Sequence, residues 1–576
     1  MISLQSSPSV VFKPDIDEES FLRLKSCLNI HPFFIKHLVR MGIRTFEEAK
    51  DFFRPHEGLL WDPLLMADMQ EAIACILLCM EKKQKILFWG DYDVDGTTSV
   101  ALMMSFFRNF LNYPFVDFYI PDRYKEGYGI NNNGIDFASD NDISLIVSLD
   151  CGIRSFDQAA YAKSLGIDLL ICDHHIPDTR IPVAKAVLNP KRIDCAYPFK
   201  DLSGCGIAFK LCQAIADKVN IPLSRLLTLT DLVAISTCAD IVSLTGENRV
   251  LVHLGLKQLS SNTRPAIRRM FENAKRVKEN YSTEDIVFFL SPRINAAGRI
   301  QHGRIAVELL LCQDDENAEH IVKKLESLND ERKYYDSSIT QEAIDIYEKS
   351  HKTKYSVIVY NEKWHKGVLG IVASRLVEKF YLPAIVLTLS EEKISGSARS
   401  IPGFDLFENL NRCSHLLDTF GGHSHAAGLT MNPENLESFT DWFDTISADF
   451  LNFKKPSPVL EADDELTFNH LTPAFMNIKN QLGPFGPGNM DPVFFSRNIC
   501  VHEEIVEVGE GHLRFKVRQP ETSDVAFPVI AFQCASLKNI LQETQWFNIA
   551  YNAHTVGKNN RIELEIKGIY PADCIV

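Results

Sequence analysis

Between residues 85 and 190 the chain alternates short apolar runs with segments of helical periodicity, which constrains its fold more than any other feature. The runs are KILFWG, FVDFYIP, ISLIVSL, DLLIC and KAVLNP. Segments such as TTSVALMMSFFRNFL and SFDQAAYAKSLG lie between them. This alternation is typical of a parallel sheet flanked by helices. The sequence therefore predicts an α/β fold in this region.

Three of these runs end in acidic residues. In open α/β sheets, ligands gather at the carboxyl ends of the strands, so we expect these side chains to lie close together. Carboxylates that are crowded in this way repel one another unless a cation lies among them. The residues are Asp91, Asp93 and Asp95 in DYDVDG, Asp150 after LIVSL, and Asp173, His174 and His175 after LLIC.

The DYDVDG segment also resembles the start of a calcium-binding EF-hand loop, an interpretation that fails further along the chain. Counted from Asp91, the twelfth position should be glutamate and is Leu102. A helix should also precede the loop, whereas KILFW has the short aromatic and β-branched character of a buried strand.

The spacing of the three aspartates predicts a bend in the backbone. A straight strand would separate Asp91 and Asp95 by ~13 Å, because it advances ~6.6 Å per two residues. Paired catalytic metals lie only ~3.5–4 Å apart. We therefore expect the segment to curl, with Gly96 permitting a tight path. Thr97 and Thr98 are expected at the start of a helix, whose free N–H groups would suit an anion.

The donor types predict the metal and the chemistry. An oxygen-rich site with imidazole suits Mn²⁺ or Mg²⁺ better than zinc. Two such ions can activate a water, brace a phosphate and stabilise the leaving oxygen, which indicates hydrolysis of a phosphate ester. A turn or helix cap explains any one of these aspartates, but it does not explain the whole set.

The rest of the chain divides by pattern. Residues 1–84 are expected to form an N-terminal helical segment, and 304–352 a long connecting helix that serves as a strut, with a self-associating coiled coil as the rival interpretation. A second, smaller α/β unit is expected at 353–453. KKPSP, at 454–458, is typical of a linker, and short alternating runs predict a small β-barrel over 457–576.

Composition excludes some classes of protein. The net charge of −15 argues against broad non-specific coating of nucleic acid, and the basic stretch at 264–278 is typical of a solvated helix face. The fourteen cysteines contain no C-x-x-C pair, so we interpret them as reduced thiols. We found no secretory signal and no apolar run long enough to cross a bilayer. We therefore expect a cytoplasmic protein.

Several motifs carry a resemblance to a known family. GDYDVDG, SLDCG, CDHH and CADIV occur in the order and approximate spacing of the motifs of the DHH phosphoesterase superfamily. LSGCGIAFKL, SPRINAAGR, LESLNDERK, GSARSIPGFDL, GGHSHAAG and LGPFGPGNMDPVF resemble the RecJ group, which are bacterial single-strand-specific 5′→3′ exonucleases. The resemblance covers nearly everything from Lys85 onward. It implies a DHH catalytic domain at 85–303, a DHH-associated domain at 353–453 and an OB-like nucleic-acid-binding barrel at 457–576.

The resemblance also implies a role for each acid and histidine of the metal site. Asp91 and Asp93 would hold one metal ion, with Asp91 standing where many relatives have histidine. The second ion would be held by Asp95, His174 and Asp240, and Asp150 would bridge both. His175 would contact the scissile phosphate or assist the leaving group, and Asp173 would orient the histidine pair. Asp240 follows from the resemblance alone.

A second set of residues would bind phosphate in the same resemblance. Asn295 and Arg299 would hold a phosphate near the metals. In the second α/β unit, at 353–453, a backbone or terminal 5′ phosphate would be bound by Ser397, Arg399, Gly421, Gly422 and His423. The pattern does not settle a role for His425. Trp546, Phe547 and Tyr551 of the barrel are candidates for base stacking, although isolated aromatic residues in strands more often belong to a core.

The function implied is a two-metal exonuclease that hydrolyses single-stranded DNA from the 5′ end, in recombination and mismatch repair. The alternative is a DHH phosphodiesterase that acts on short oligonucleotides or small nucleotides. A non-catalytic partner in a replication complex is a third interpretation, which the complete ligand set disfavours. Besides single-stranded DNA, the resemblance implies a single-strand-binding protein and a helicase as partners. We expect a monomer.

Overall fold

The computed structural model describes residues 9–350, 353–509, 511–557 and 559–573. Contacts within the chain divide these residues into two compact units. One contains 9–61, Ile241–Leu254 and the described residues from Pro458 onward; the other contains Asp62–Asp240 and Gly255–Ser457. The second unit contains every residue that the sequence analysis assigned to the metal or phosphate sites.

The N-terminal part of the first unit is a strand followed by three helices. Asp17 accepts the N–H of Ser20 at the start of the first helix, and Thr45 and Glu48 form a reciprocal capping box at the start of the third. The expectation of a helical segment did not include the strand, and residues 1–8 lie outside the described residues. The elements are β1 (Ser9–Phe12), α1 (Glu18–Cys27), α2 (Pro32–Arg40) and α3 (Phe46–Phe53).

A five-stranded sheet forms the centre of the second unit. Its strands are β2 (Lys85–Gly90), β3 (Val116–Tyr119), β4 (Ile143–Leu149), β5 (Asp168–Cys172) and β6 (Ala186–Leu188). The order is β3-β2-β4-β5-β6, and every neighbouring pair is parallel. Gly90 is opposite Leu149, and Leu149 is opposite Cys172. The predicted parallel sheet is thus confirmed, and the strands before Asp91, Asp150 and Asp173 end side by side.

Much of the chain from residue 69 to residue 300 is helical. The first fourteen residues of α5, Val94 to Phe107, are all buried, and α5 packs against α8 and α10. The helices are α4 (Met69–Glu81), α5 (Val94–Asn109), α6 (Asn132–Asp140), α7 (Phe156–Ser164), α8 (Gly204–Lys218), α9 (Leu223–Leu226), α10 (Thr230–Ala239), α11 (Gly246–Ser261), α12 (Pro265–Asn273), α13 (Thr283–Asp285), a π-helical turn (Ile286–Leu290) and α14 (Ser291–Ile300).

The long helix predicted over 304–352 is divided in two. α15 (Arg304–Leu311) ends at Cys312, whose backbone is extended, and α16 (Asp315–Ser350) then runs for 36 residues, ~54 Å at ~1.5 Å per residue. The Asp314 carboxylate accepts the N–H of Asn317 at 2.7 Å, as a cap does at a helix start. Residues 351–352 lie outside the described residues.

The smaller lobe of the second unit has its own sheet, in the order β10-β11-β9-β8-β7. The pair β7–β8 is parallel and the others are antiparallel. Ile385 and Leu387 enter one apolar cluster while Ala384 and Val386 enter another, so both faces are covered. The elements are β7 (Val357–Tyr360), α17 (Leu369–Phe380), β8 (Ala384–Ser390), β9 (Lys393–Arg399), α18 (Leu406–Asn411), β10 (Thr419–Gly422), β11 (Ala426–Met431) and α19 (Leu436–Phe450).

The C-terminal part of the first unit is a closed barrel, as predicted. Five strands pair in the order β14-β18-β19-β17-β16, and a pairing of β14 with β16 closes the ring. β1 pairs in parallel with β12. The elements are β12 (Val459–Ala462), β13 (Asp464–Glu465), α20 (Pro473–Gln481), β14 (Phe494–Val501), β15 (Val506–Val508), β16 (His512–Gln519), β17 (Ser523–Ala531), α21 (Lys538–Glu543), β18 (Phe547–Val556) and β19 (Arg561–Pro571).

Among the described residues, no single helix combines the length and apolar character needed to cross a membrane. The consecutive pair Glu57–Leu65 and Met69–Glu81 meets that criterion only when it is taken together, and it is bent by 82°.

Candidate metal centre and phosphate-binding cleft

The aspartates after β2 lie where the strand passes into α5. Asp93 is the N-cap and accepts the N–H of Gly96 at 3.1 Å, while Asp95 lies in the first turn. The segment curls as expected, but the helix begins before Thr97, whose N–H already donates to the Asp93 carbonyl at 3.0 Å. Gly96 is needed for close packing, because a Cβ there would overlap the backbone of Asp91.

Asp150 follows β4 with a left-handed backbone, φ 63°. Its N–H donates to the Cys172 carbonyl at 2.9 Å and extends the pairing of β4 with β5 by one residue. This conformation costs a residue other than glycine on the order of 1 kcal/mol, and such strain concentrates at functional sites. The backbone thereby turns sharply at the residue that was predicted to bridge two metals.

The acids and histidines converge in three overlapping groups, each with ligand atoms within 4.8 Å of one another. Asp150 and His174 each belong to two groups, so the three form one continuous centre. Asp240 reaches it from a separate element, as the C-cap of α10. Two of the groups contain residues that the resemblance assigns to the two ions, the third adds His175, and the individual roles stay predictions. The groups are Asp91–Asp93–Asp150, Asp95–His174–Asp240 and Asp150–His174–His175.

Several ligand atoms of this centre are buried without a hydrogen bond in the described part of the chain: Asp91 Oδ1, Asp150 Oδ1 and both ring nitrogens of His174. His174 Nε2 lies 3.1 Å from Asp150 Oδ1, 3.5 Å from Asp240 Oδ2 and 3.7 Å from Asp95 Oδ2. Buried polar atoms without partners are costly. A divalent cation would satisfy them, and the donor set fits Mn²⁺ or Mg²⁺.

The electrostatics of the centre also favour a cation. Burial, reinforced by the neighbouring aspartates, raises the pKa of Asp91, Asp93, Asp150 and Asp240. Burial lowers the pKa of His174 to about 4, so its imidazole is neutral at neutral pH and has a lone pair for a metal. A bound cation would remove much of the cost of ionising these carboxyls.

Asp173 holds His175 in one orientation. Asp173 Oδ1 accepts the backbone N–H of His175 at 3.0 Å and lies 2.7 Å from its ring Nδ1. Burial acts to raise the pKa of Asp173, but the hydrogen bonds and charge of His175 lower it to about 2. Burial acts to lower the pKa of His175, and Asp173 raises it. With Nδ1 occupied, Nε2 is the ring atom available to a substrate.

In the smaller lobe, the β10 turn lies beside the histidine pair. Gly421 and Gly422 end β10, and Gly422 has a φ of 145°, a conformation that side chains rarely adopt. The next residue, His423, lies parallel to His175, with ring centroids 5.9 Å apart. The two lobes of this unit therefore both contribute to the centre.

Ser397 and Arg399 lie at the end of β9, where Arg399 Nη1 donates to Ser397 Oγ at 3.1 Å. Gly370, in the first turn of α17, approaches both. A Cβ at Gly370 would lie 2.8 Å from Arg399 Nη2 and 3.0 Å from Ser397 Oγ. A hydroxyl, a guanidinium and the free N–H groups of a helix start thus converge, a combination that suits phosphate.

Arg299 lies in the last turn of α14, near Arg399. Its Nη1 donates to the Gly367 carbonyl at 3.0 Å. Burial and the nearby Arg123, Arg399 and Arg332 lower the pKa of Arg299 to about 9, and burial and Arg123 lower the pKa of Arg399. The guanidinium groups therefore lie close enough to repel, and an anion would relieve that repulsion.

Asn295 lies one turn before Arg299 on α14 and is half-buried. Within the described ranges, its side chain makes no hydrogen bond to Arg299 or Arg399, which we call the arginine cluster. The structure brings together Arg299, Ser397 and Arg399, but it does not tie Asn295 to them.

Three known families match separate parts of the chain. "DHH family, N-terminal domain" matches residues 85–237, "DHHA1 domain" matches 352–448, and "RecJ OB domain" matches 462–568. The first match contains Asp91, Asp150 and the histidine pair, and the second contains Ser397, Arg399 and His423. Most residues of the centre therefore lie within two of the three matches, and Asp240 lies just beyond the end of the first.

Curated relatives match most of the chain. "Single-stranded-DNA-specific exonuclease RecJ" of Bacillus subtilis (strain 168) is 37% identical over 506 residues, which cover 87% of this chain and 63% of that protein. The chain thus spans less than two thirds of that relative's length. The protein of the same description from Haemophilus influenzae is 32% identical over 506 residues, 85% of this chain and 88% of that protein. The chain belongs to the RecJ family.

Solved RecJ structures share the fold. RecJ from Thermus thermophilus in complex with Mn²⁺ superposes with a TM-score of 0.82 at 24% identity, over 98% of this chain and 80% of that one. A structure of exonuclease RecJ bound to manganese superposes with a TM-score of 0.58 at 28% identity, over 68% of this chain and 96% of that one.

Sequence reasoning missed two residues of this RecJ-family site. Arg123 lies over the ring of Tyr92 at 4.6 Å and affects the pKa of Asp91 and Arg299. The hydroxyl of Tyr128 donates to the Asp150 carbonyl at 3.0 Å and lies 3.3 Å from His175 Nδ1. Both lie in the polar segment PDRYKEGYG, directly after β3. Its position at a strand's carboxyl end was the signal that could have found them.

Two aromatic candidates in the RecJ OB domain belong to its core. Phe547 and Tyr551 are fully buried, and Tyr551 makes a hydrogen bond with Ser496 at 3.0 Å. Only Trp546 is half-buried. The side chain of His425 is exposed, and its carbonyl accepts the N–H of Ser400 at 3.1 Å.

Proposed function

We propose that this chain is a metal-dependent exonuclease that hydrolyses the phosphodiester bonds of single-stranded DNA from the 5′ end. One observation carries the proposal: the three ligand groups are linked through Asp150 and His174 into a single continuous centre. Arg299 lies close enough to this centre for Asp93 to affect its pKa. The relatives' shared description, single-stranded-DNA-specific exonuclease, supports the substrate.

The metal centre supports hydrolysis. Two divalent ions, Mn²⁺ or Mg²⁺, would activate a water and stabilise the leaving oxygen, and the manganese-bound RecJ structure supports their identity. In the proposal, His175 directs Nε2 at the scissile phosphate or the leaving oxygen, because Asp173 occupies Nδ1. The two ligand sets are Asp91 and Asp93 for one ion and Asp95, His174 and Asp240 for the other, with Asp150 common to both.

The arginine cluster supports binding of a terminal phosphate, which the resemblance assigns to the 5′ end. A terminal phosphate carries a charge of about −1.5 to −2, more than an internal phosphodiester. It suits a place where Arg299, Arg399 and the Ser397 hydroxyl converge, since no described carboxylate forms an ion pair with either arginine. A strand whose 5′ end is bound there would present its first phosphodiester to the neighbouring metal centre.

The resemblance to the RecJ family supports a proposal for the biological setting. We propose that the enzyme acts in recombination and mismatch repair, in the cytoplasm and as a monomer. An enzyme that consumes single strands from one end needs those strands to be opened, which makes a helicase a suitable partner. A single-strand-binding protein is the second partner that we propose, since it would hold the strand open.

The test is degradation of single-stranded DNA labelled at its 5′ or 3′ end, with a blunt duplex of the same sequence. Each reaction is run with Mn²⁺, with Mg²⁺ and with EDTA. Loss of the 5′ label from the single strand alone, abolished by EDTA and by Asp150→Asn, is expected. Arg399→Gln should remove any preference for a 5′ phosphate over a 5′ hydroxyl.

A matched control is Asp444→Asn, because that carboxylate accepts backbone N–H groups of Lys354, Tyr355 and Ser356 in the smaller lobe. It should degrade DNA as the wild type does. If the 3′ label is lost before the 5′ label, the proposed 5′ polarity is wrong. Turnover of short oligonucleotides alone would replace the exonuclease with a phosphodiesterase.

A further inference from the structure

Asp95 differs from the other carboxylates of the centre because three donors already hold it. Its Oδ2 accepts the N–H of Gly204 at 2.7 Å. Its Oδ1 accepts the N–H of Cys205 at 2.8 Å and the hydroxyl of Ser236 at 2.6 Å. By contrast, Asp91 Oδ1 and Asp150 Oδ1 are buried without a hydrogen bond in the described ranges.

The two N–H donors belong to the start of α8, which Ser203 caps by accepting the N–H of Gly206 at 3.1 Å. The first N–H groups of a helix have no partner within it, and this end of the helix carries a partial positive charge. A buried carboxylate is therefore a favourable partner for them. The segment LSGCG, at 202–206, thereby has a physical role that its sequence did not disclose.

The third donor, Ser236, lies on α10 and is fully buried. Its Oγ also lies 2.7 Å from Oγ of Ser203, which in turn lies 3.3 Å from Oγ1 of Thr237. A serine hydroxyl has one proton. Ser236 therefore donates at any moment either to Asp95 Oδ1 or to Ser203 Oγ, the two acceptors within its reach. A short chain of hydroxyls thus connects both helices to one carboxylate.

Gly204 fixes the distance between this carboxylate and the next one. A Cβ at Gly204 would lie 2.7 Å from the Cβ and 3.0 Å from the Cα of Asp150. The start of α8 is therefore packed directly against Asp150 while it donates to Asp95. One helix end sets the relative position of the two aspartates.

We infer that the start of α8 and the hydroxyl of Ser236 position Asp95 for cation binding, which makes Ser236 a positioning residue of the metal centre. The inference rests on the proposed function, because it concerns the same ions. Asp95 Oδ1 has both lone pairs occupied, whereas Oδ2 accepts one N–H and keeps one lone pair. The free lone pair belongs to the oxygen that lies 3.7 Å from His174 Nε2. Asp95 thus has a single oxygen to offer a metal.

The experiment titrates Mn²⁺ into the metal-free full-length protein by calorimetry. Ser236→Ala should weaken one of the two binding events by about 10–100-fold, the usual effect of losing a group that orients a metal ligand. The matched control is Ser447→Ala, since Ser447 is also fully buried in a helix and donates only to the Phe443 carbonyl. Its Mn²⁺ affinities should equal those of the wild type.

A second pair of variants isolates the hydroxyl. Ser236→Thr and Ser236→Val add the same bulk, but only threonine keeps the donor. Mn²⁺ should bind the threonine variant more tightly and raise its Tm more. In exonuclease assays, Ser236→Ala should need more Mn²⁺ for half-maximal rate and regain its rate at saturating Mn²⁺.

The possible outcomes distinguish a failure of the inference about Ser236 from a failure of the proposed function. Wild-type affinities in Ser236→Ala, or equal affinities in the threonine and valine variants, overturn the inference and leave the proposed function intact. Failure of the alanine and valine variants to fold while the threonine variant folds would assign the hydroxyl to stability and overturn the inference as well. Absence of Mn²⁺ binding in the wild type would overturn the proposed function and the inference together.

Discussion

His175 and His423 lie face to face, with ring centroids 5.9 Å apart and ring planes inclined by 11°. One ring follows β5 of the parallel sheet and the other follows β10 of the smaller lobe. Burial, with the charges of His175 and of nearby basic groups, lowers the pKa of His423. His423 is therefore a neutral imidazole at neutral pH. It can make a hydrogen bond to a phosphate beside the metal centre.

His423→Ala is expected to lower kcat/KM for single-stranded DNA by about 10-fold, which corresponds to ~1.4 kcal/mol of transition-state stabilisation. The reason is that the ring borders His175, whose Nε2 points toward the substrate in the proposal. Steady-state kinetics on a labelled single strand measure the effect.

His425→Ala is the matched control for that prediction. His425 is two residues away, and its side chain is exposed. Its replacement should leave kcat/KM unchanged. An equal loss of kcat/KM in both variants would mean that the turn needs its histidines for folding. It would refute a specific contribution of His423 to the reaction.

Asp150→Asn is expected to stabilise the metal-free protein at neutral pH while it abolishes activity. Burial and neighbouring aspartates raise the pKa of Asp150 above 3.8, so the stability that it contributes is complete below that value and is lost as the pH rises through its raised pKa. Asparagine has no charge to bury. The Tm gain should be about 2–4 °C.

Thermal unfolding of the wild type and of Asp150→Asn at several pH values tests the direction of this pH dependence. The advantage of the asparagine variant should disappear in acid, where Asp150 is protonated, and should reverse when Mn²⁺ is saturating. A metal-free variant that is less stable than the wild type at neutral pH would contradict the electrostatic reasoning.

Binding of Mn²⁺ should release protons at mildly acidic to neutral pH. The carboxyls of Asp91, Asp93, Asp150 and Asp240 have raised pKa values, so the metal-free centre retains protons that a cation must displace. His174 has a pKa of about 4 and contributes none. Calorimetry in two buffers of different ionisation enthalpy counts the protons, and a count of zero would refute the prediction.

Arg249 is expected to be essential for the stability of the first unit. Its guanidinium is buried, lies over the ring of Phe52 at 3.9 Å, and donates to the carbonyls of Phe52, Gln481 and Leu482. Arg249→Met keeps much of the length but removes the donor from the carbonyls of Phe52 and Gln481, at about 1–3 kcal/mol each, whereas the Leu482 carbonyl still accepts from Asn489 Nδ2 at 2.9 Å. We expect a loss of at least about 2 kcal/mol, measured by urea unfolding.

The control for that variant is Arg54→Met. Arg54 is exposed and donates to the carbonyl of Phe53 and the side chain of Gln481. Its replacement should change stability by less than about 0.5 kcal/mol. Comparable losses in the two variants would show that burial of Arg249 is not what matters.

Much of the fold could be predicted from the sequence, because the patterns that indicate it are local. Apolar runs with helices between them predicted a parallel sheet, and such a sheet ends its strands at one edge. Asp91, Asp150 and Asp173 could therefore be expected, from the sequence alone, to lie close together. The break between α15 and α16 was missed, because its only sign is the cap at Asp314.

The site was predicted only in part, since some of its members have no local signal. Asp240 ends a buried helix, and only the family resemblance indicated it. Arg123 had only its position after β3 as a signal, and Ser236 lies inside an apolar helix, where it does not differ in sequence from an ordinary core residue. Of the two histidines in GGHSHAAG, the resemblance gave a role only to His423, and it is His423 whose ring lies beside His175.

The sequence by itself determined which segments are strands, where each meets an acid and which ligand chemistry those acids favour, because these depend on periodicity and residue type. Tertiary structure alone decided how α8 reaches Asp95, how α10 brings Asp240 and Ser236 to the centre, and how the smaller lobe places His423 and Arg399 beside it. Those positions depend on the packing of helices and sheets that are distant in sequence, and packing of that kind leaves no trace in a local pattern.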